Sequence, residues 1–243
     1  MFDHVTLRAS DRKATVEFFE TVLPTLDHRT RHRDDDFAAW GDFDFFVVAA
    51  DDEPVTRRLH IGFVAPTRTH VDEFWRVGTE AGYRDDGEPD LRPQYSPDYY
   101  GSFLLDPDGN SIEGVHHGDV DSRGGIIDHL WIRVADVAAS QRFYETIAPH
   151  AGLRLGTHGP TRAQFTGVTG SFSVVDGEPT QGLHMAFPAS DNASVDAFHR
   201  AATEVGYRDN GAPGERRYHP GYYAAFVLDP DGNNIEVVNH NWN

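Results

Sequence analysis

The chain carries two copies of one sequence pattern, and this internal repeat constrains its fold more than any other feature. The longest match pairs YYGSFLLDPDGNSIE at 99–113 with YYAAFVLDPDGNNIE at 222–236. Two upstream segments recur in the same order. They are LHIGFVAP (59–66) with LHMAFPAS (183–190), and DHVTLRASD (3–11) with DHLWIRVAD (128–136).

The repeat predicts two domains, residues 1–120 and residues 126–243. The polar, glycine-rich stretch HHGDVDSRGG (116–125) is predicted to join them. Because the spacing between matching segments drifts by only one residue at a time, the copies are expected to differ by small loop deletions.

Each copy is expected to alternate strands and helices. Polar and apolar residues alternate from His4 to Arg8, which is typical of a half-buried strand. Ser10 or Asp11 then precedes an apolar pattern of helical spacing that stops near Pro24, and the second copy repeats this from Asp136 to Pro149. Asp-Pro-Asp-Gly favours a tight hairpin turn late in each copy. The order strand, helix, three strands therefore occurs four times, which predicts an α+β fold of four βαβββ modules.

Composition excludes several classes of function. The chain has 243 residues with 21 basic and 39 acidic side chains, a formal charge of −18. This charge repels phosphate backbones and anionic lipid, so neither a nucleic acid nor a membrane surface is an expected partner. The absence of cysteine excludes disulfides and thiolate metal sites. No apolar run approaches the roughly 18 residues of a membrane span, and a cytoplasmic location is expected.

Polar residues recur in both copies at positions where a strand should be apolar. Two histidines and a glutamate form the facial triad that holds divalent iron, manganese or zinc and leaves positions open for substrate. The alternative is a set of hydrogen-bonded core residues, and the pattern alone leaves both open. The residues are His4, His60 and Glu113 in the first copy, and His129, His184 and Glu236 in the second.

Further polar residues share the faces of these candidate ligands. His117 and His240 each follow the glutamate of their copy by four residues. Each is a candidate partner of a metal ligand or a proton shuttle, and the alternative is a solvated strand end. Arg8 and Arg133 each follow the first histidine by four residues, where they suit either an anionic substrate group or a salt bridge. Trp131, between His129 and Arg133, is a candidate flat wall for an aromatic ring.

The strand opening DH-x3-R, the internal LH strand and the DPDGN-x-IE hairpin resemble the vicinal oxygen chelate superfamily, which includes glyoxalases, bleomycin-resistance proteins and extradiol dioxygenases. The resemblance covers essentially the whole chain, twice. It implies that the βαβββ modules form two cup-shaped mixed β-sheet domains. It also implies one divalent metal per domain (iron, manganese, zinc or nickel), held by the histidine–histidine–glutamate set of each copy.

Departures from individual members narrow the expected activity. Glyoxalase I resembles the chain at Arg8 and Arg133 but takes a fourth ligand, a glutamate on the fourth strand, which neither 44–50 nor 171–175 contains. Extradiol dioxygenases need only the three-residue set. Their acid–base histidine is matched by His219, which the resemblance therefore implies as a catalytic residue. Two further positions depart from the dioxygenase pattern: Phe103 and Phe226 replace its tyrosine, and Ser96 stands opposite His219.

The sequence thus predicts a metal-dependent enzyme acting on a small vicinal-oxygen substrate, with extradiol-dioxygenase-like chemistry as one form. The alternative is a non-catalytic small-molecule or drug-binding protein, like the bleomycin-resistance members. The two domains are expected to pair within the chain as a pseudo-dimer, and association of two chains into a homodimer is left open.

Overall fold

A computed structural model describes residues 1–118 and 125–241, so 119–124 of the predicted linker lie outside the described residues. Within these ranges the order of elements is four βαβββ modules, which confirms the predicted α+β fold. The α-helices are α1 (Arg12–Val22), α2 (Arg68–Glu80), α3 (Val137–Ala151) and α4 (Asn192–Glu204), and a 3-10 helix, Leu23–Leu26, follows α1.

Each helix stands between the first strand of its module and the three strands that follow. The strands of the first two modules are β1 (His4–Ala9), β2 (Thr30–Arg33), β3 (Phe37–Trp40), β4 (Phe45–Ala49), β5 (Leu59–Val64), β6 (Arg84–Leu91), β7 (Tyr100–Leu105) and β8 (Ser111–His116). Those of the last two are β9 (Ile127–Val134), β10 (Arg154–Gly159), β11 (Arg162–Thr166), β12 (Ser171–Asp176), β13 (His184–Pro188), β14 (Asp209–Glu215), β15 (Tyr223–Leu228) and β16 (Asn234–Asn239).

The first helix of each repeat begins at the predicted capping residue. The Asp11 carboxylate accepts the Ala14 N–H at 3.0 Å, and the equivalent Asp136 carboxylate caps α3. Helix α3 continues two residues past the predicted stop near Pro149. Pro149 lies inside the last turn, the helix ends at Ala151, and the C-cap Gly152 has a φ of 65°, which glycine adopts without strain.

The chain forms two compact units, each taking a short strand segment from the other repeat. Unit 1 is Met1–Val5 with Ile132–Asn243, and unit 2 is Thr6–Trp131. Strands β1 and β9 run from one unit into the other. The described strands form two mixed eight-stranded sheets, in the orders β14-β15-β16-β13-β1-β4-β3-β2 and β10-β11-β12-β9-β5-β8-β7-β6.

Each unit contains a parallel strand pair and an antiparallel hairpin that have one strand in common. In unit 2, β5 runs parallel to β8 and places Gly62 opposite Glu113. Because side chains alternate along a strand, His60 then shares a face with Glu113. In unit 1, β13 pairs with β16 in the same way and places Ala186 opposite Glu236. The hairpins β7–β8 and β15–β16 turn on Asp-Pro-Asp-Gly, as predicted.

None of the described helices is both long and apolar enough to cross a membrane.

Candidate metal centres

In unit 2 three candidate ligands converge from three neighbouring strands. His60 lies on β5, Glu113 on β8 and His129 on β9. The Nε2 atom of His60 is 3.0 Å from both Glu113 Oε2 and His129 Nε2, and His129 Nε2 is 3.2 Å from Glu113 Oε2. Glu113 is 1% exposed, so its carboxylate is buried with these imidazoles as its close partners.

Unit 1 contains the matching arrangement. His4 lies on β1, His184 on β13 and Glu236 on β16. His184 Nε2 is 2.9 Å from Glu236 Oε2 and 3.0 Å from His4 Nε2, and His4 Nε2 is 3.5 Å from Glu236 Oε2. The two groups of three are those in which the described residues offer ligand atoms within 4.8 Å of one another.

The expectation that each repeat supplies a complete ligand set is wrong. His4 joins His184 and Glu236 of the second repeat, and His129 joins His60 and Glu113 of the first. The physical reason is strand pairing: β1, which carries His4, lies next to β13, and β9, which carries His129, lies next to β5. All six residues predicted as ligands are brought together, but in exchanged sets.

The spacing of the donor atoms fits a metal with ligands at right angles. Imidazole nitrogen and carboxylate oxygen bind zinc at about 2.0–2.2 Å. Two such ligands at 90° lie about 3.0 Å apart, whereas a tetrahedral angle separates them by about 3.4 Å. Five of the six separations fall between 2.9 and 3.2 Å. These separations match a facial triad and are also the lengths of the hydrogen bonds that join the groups without a metal; a bound ion would keep positions open for substrate.

In unit 2 the remaining atoms of the candidate ligands are fixed by hydrogen bonds. His129 Nδ1 donates to Asp128 at 2.8 Å, and His60 Nδ1 donates to the Ser111 hydroxyl at 3.1 Å. The Tyr99 hydroxyl donates to Glu113 Oε1 at 2.8 Å. Donation from both Nδ1 atoms turns each Nε2 towards the centre, where it would offer its lone pair to a metal once it carries no proton.

Unit 1 repeats these supports with one change. His4 Nδ1 donates to Asp3 at 2.8 Å, and the Tyr222 hydroxyl donates to Glu236 Oε1 at 2.7 Å. His184 Nδ1 lies 2.6 Å from the Asn234 side-chain amide, which stands where unit 2 has Ser111. The atom nearest the ring is the amide nitrogen, and the amide oxygen accepts from the Asn210 side chain at 2.9 Å, so His184 Nδ1 accepts a hydrogen bond and the ring proton lies on Nε2. A metal that binds His184 Nε2 would displace that proton.

Charge in the unit 2 centre is already paired without a metal. Burial raises the pKa of Glu113, but hydrogen bonds from His129 and His60 outweigh burial and bring it to about 2. Burial lowers the pKa of His129, while its hydrogen bonds to Asp128 and Glu113 raise it to about 10. Burial also lowers the pKa of His60. A metal that binds His129 Nε2 therefore displaces a proton from that ring.

The three histidines predicted as catalytic lie behind the ligands. His117 and His240 follow the ends of β8 and β16. His117 Nε2 bonds Asp128 at 2.9 Å, His240 Nε2 bonds Asp3 at 2.9 Å, and His219 Nε2 bonds His240 Nδ1 at 2.8 Å.

The predicted substrate-binding residues are divided between the units. Trp131 lies in unit 2, with its ring centroid 6.0 Å from that of His60. Arg8 is a residue of unit 2, although His4 on the same strand is in unit 1, and the Arg8 backbone N–H donates to Thr56 Oγ1 at 2.9 Å. Arg133 is an exposed residue of unit 1.

Trp131 was predicted from the sequence, but the other members of an aromatic border beside the unit 2 centre, Phe103, Tyr95 and Tyr99, were missed. Phe103 lies 5.8 Å from the His60 ring, and Tyr95 lies 5.8 Å from Trp131 and 5.0 Å from Tyr99. Tyr95 is 47% exposed, so this border reaches solvent. The carboxylate partners of the ligands were also missed. In both cases the signal was present, because Asp-His and the tyrosine pairs recur in both repeats.

Comparison with known proteins places this architecture in a family. Two solved structures resemble nearly the whole chain. Glyoxalase I from Zea mays has a TM-score of 0.70 and 19% identity, over 98% of this chain and 92% of that one. A proposed dioxygenase from Bacillus subtilis has a TM-score of 0.64 and 13% identity, over 99% of this chain and 85% of that one. Among curated proteins, none matches the chain significantly. The family model for the Glyoxalase/Bleomycin resistance protein/Dioxygenase superfamily matches residues 1–113 and 126–237. The chain therefore belongs to this superfamily.

Proposed function

We propose that the chain is a metal-dependent enzyme, with one divalent ion in each unit, that acts on a small molecule bound through two adjacent oxygens. The observation that carries this proposal is the convergence of two imidazole nitrogens and one carboxylate oxygen, about 3 Å apart, in both units. Nitrogen and oxygen donors of this kind suit iron, manganese, nickel or zinc. When bound, the ion supplies a Lewis acid that stabilises negative charge on the substrate oxygens.

The protein groups around the centre hold its donors in place and leave one side for substrate. Tyr99 and Tyr222 each bond the outer oxygen of the glutamate, so that the inner oxygen faces the imidazoles. Neither β4 nor β12 contains a glutamate, the residue that completes the metal site of glyoxalase I. The three-residue set favours chemistry of the extradiol-dioxygenase kind over that of glyoxalase I.

The aromatic border of unit 2 supports a flat substrate. Phe103 and Trp131 both flank the His60 ring, and Tyr95 extends the border towards solvent. Aromatic faces contribute about 0.5–1.5 kcal/mol per stacked ring beyond simple burial. A planar ring bearing two adjacent oxygens therefore matches both the ligand set and its border.

Metal content and turnover test the proposal together. Protein purified without added metal or chelator is expected to contain about two equivalents of a divalent ion per chain. A panel of catechols and 2-oxo compounds is then assayed with the native protein, His60→Ala and His184→Ala. Turnover lost in one of these variants identifies the active unit. Tight binding without turnover would favour the non-catalytic binding protein, and metal-free protein that also binds no added metal would refute the proposal.

A tryptophan pair isolates the role of the border. Trp131→Leu is expected to weaken binding of aromatic compounds about tenfold and to leave the metal content unchanged. Trp75→Leu is the matched control, because the Trp75 indole bonds Asp85 on the surface of helix α2 and β6. Equal effects of both variants would contradict a role of Trp131 in binding.

A further inference from the structure

A chain of four hydrogen bonds leads from the surface of unit 1 to the ring of His4. His219 Nδ1 lies 2.8 Å from the Pro220 carbonyl oxygen, and His219 Nε2 lies 2.8 Å from His240 Nδ1. His240 Nε2 lies 2.9 Å from Asp3 Oδ2, and Asp3 Oδ1 lies 2.8 Å from His4 Nδ1. Every ring nitrogen of His219 and His240 therefore has a partner.

The two ends of the histidine pair can only accept protons. A carbonyl oxygen accepts, so His219 Nδ1 must carry a proton, and an ionised carboxylate accepts, so His240 Nε2 must carry another. The bond between His219 Nε2 and His240 Nδ1 needs a third proton. Two neutral imidazoles together carry only two N–H protons. The hydrogen-bond pattern is therefore complete only when the pair holds one extra proton and one positive charge.

The surroundings of the pair favour this charge. Among the described residues, the groups that face it include the carboxylates of Asp3 and Glu236 and the hydroxyl of Tyr222, which itself donates to Glu236. The two rings stack at 5.1 Å and 14°, with the Tyr222 ring packed edge-on against both. The hydrogen bond to Asp3 raises the pKa of His240, although partial burial opposes it.

Unit 2 has only the inner half of this chain. His117 bonds Asp128, which bonds His129, but Ser96 stands at the position of His219. The Ser96 hydroxyl donates to Asp98 at 2.8 Å. Within the described residues, the hydrogen bond of His117 to the Asp128 carboxylate requires one N–H. A neutral imidazole has one N–H, so this bond requires no extra proton.

We propose that His219 and His240 share one stored proton, and that this charged pair acts through Asp3 to weaken the electron donation of His4 towards a bound metal. The positively charged pair donates a hydrogen bond to Asp3 and attracts its negative charge. The Asp3 carboxylate is therefore a weaker acceptor for His4 Nδ1–H. Both histidines are thus positioning residues rather than groups that touch substrate. The proton count stands without the proposed function, whereas the effect on metal affinity rests on it.

The stored proton is measured in metal-free protein by nitrogen-15 NMR of the imidazoles near pH 7. Loss of signals in His219→Gln and His240→Gln assigns the two rings. Three N–H protons are expected on the pair in the native protein, one of them between the rings. In Asp3→Asn the amide can donate to His240, so the count should fall to two. Two protons on the native pair, or an unchanged count in Asp3→Asn, would overturn the proposal.

The effect on the metal is measured with zinc in a His60→Ala background, so that only unit 1 binds. In His240→Gln the amide nitrogen still donates to Asp3 but the positive charge is gone. Zinc is expected to bind about 3- to 10-fold more tightly, because a nearby cation no longer opposes a divalent ion. A purely structural role predicts weaker binding instead, so weaker or unchanged affinity would overturn this part of the proposal.

A matched variant uses the other histidine of the pair. In His219→Gln the amide oxygen can accept from His240, which keeps its charge against Asp3, so zinc affinity should change less than twofold. An effect as large as that of His240→Gln would contradict a charge stored on the pair. If the His60→Ala protein binds no zinc at all, the proposed function fails while the NMR count still tests the shared proton.

Discussion

The exchange of ligands between the repeats can be tested by combining two histidine substitutions. His60→Ala with His129→Ala removes two donors from the unit 2 centre and leaves the unit 1 centre intact. His129→Ala with His184→Ala removes one donor from each centre. If each repeat instead held its own set, the two combinations would have opposite outcomes.

The size of the effect follows from the number of donors. Structural zinc sites with four ligands bind with about 10–16 kcal/mol, or about 3 kcal/mol per ligand. Loss of one imidazole from a three-donor set should therefore weaken binding by a factor of roughly 100. A centre with a micromolar dissociation constant would then be empty at micromolar protein and metal.

Competition with a metal-sensitive chelator and elemental analysis provide the assay. We expect two equivalents in the native protein, one in His60→Ala, one in His60→Ala/His129→Ala and none in His129→Ala/His184→Ala. His158→Ala is the control, because this exposed histidine of β10 belongs to neither set. One equivalent retained by His129→Ala/His184→Ala, together with none in His60→Ala/His129→Ala, would refute the exchanged arrangement.

Three further predictions concern the supports of the two centres and the surface. Gly62→Ala should abolish metal binding in unit 2, because the added Cβ would lie 2.4 Å from the imidazole of the β9 ligand, and Ala186→Gly at the matching position of unit 1 should retain its metal. Tyr222→Phe should lower the free energy of unfolding by about 1–3 kcal/mol in urea titrations, since a buried carboxylate loses its donor, while Tyr223→Phe, whose hydroxyl is exposed, should change it by less than about 0.5 kcal/mol. Backbone hydrogen bonds from the turn lower the pKa of Asp34 to about 2, below its unfolded value of about 3.8. The ionised carboxylate therefore stabilises the folded protein above pH 4, and this contribution is lost as the pH falls towards 2. Asp34→Ala should flatten this part of the pH profile of the free energy of unfolding.

The sequence was sufficient to predict the modules because their signals are local. Asp11 and Asp136 mark helix starts, and Asp-Pro-Asp-Gly marks a hairpin turn, whatever lies elsewhere in the chain. The end of α3 was also predicted from a local signal, the proline at 149. A proline in a last turn removes only one hydrogen bond, and the glycine at 152 supplied the stronger stop signal.

The grouping of the ligands could not be predicted in the same way. His4 and His129 occupy equivalent positions in near-identical strands, so either could serve either centre as far as residue type is concerned. The choice depends on which strand each segment pairs with, and this pairing is non-local. The Asp3 N–H donates to the Ala186 carbonyl at 2.9 Å, which fixes the start of β1 beside β13 in unit 1.

The second contacts of the ligands were missed for a different reason. Asp128 and Tyr99 are ordinary strand and loop residues by composition, and their roles appear only when a ring nitrogen and a carboxylate oxygen are found facing them. Aspartate directly before a ligand histidine is nevertheless a readable signal. A carboxylate that accepts from Nδ1 leaves Nε2 for the metal, and the Asp-His pair opens both repeats.

The exchanged arrangement also bears on how the two centres diverged. Each repeat supplies its first histidine to one centre and its second histidine and glutamate to the other. A change in the first strand of a repeat therefore alters the centre that the same repeat does not otherwise build. The residues beside the candidate ligands also differ between the units. Unit 2 has glycines at 62 and 101, where an added Cβ would clash with His129 or Glu113, whereas unit 1 has alanines at the matching positions 186 and 224. The two centres have the same types of donor residue but different surroundings. A histidine pair lies behind the candidate ligands of unit 1, whereas an aromatic border lies beside those of unit 2. We therefore expect the two centres to differ in their affinity for a given small molecule.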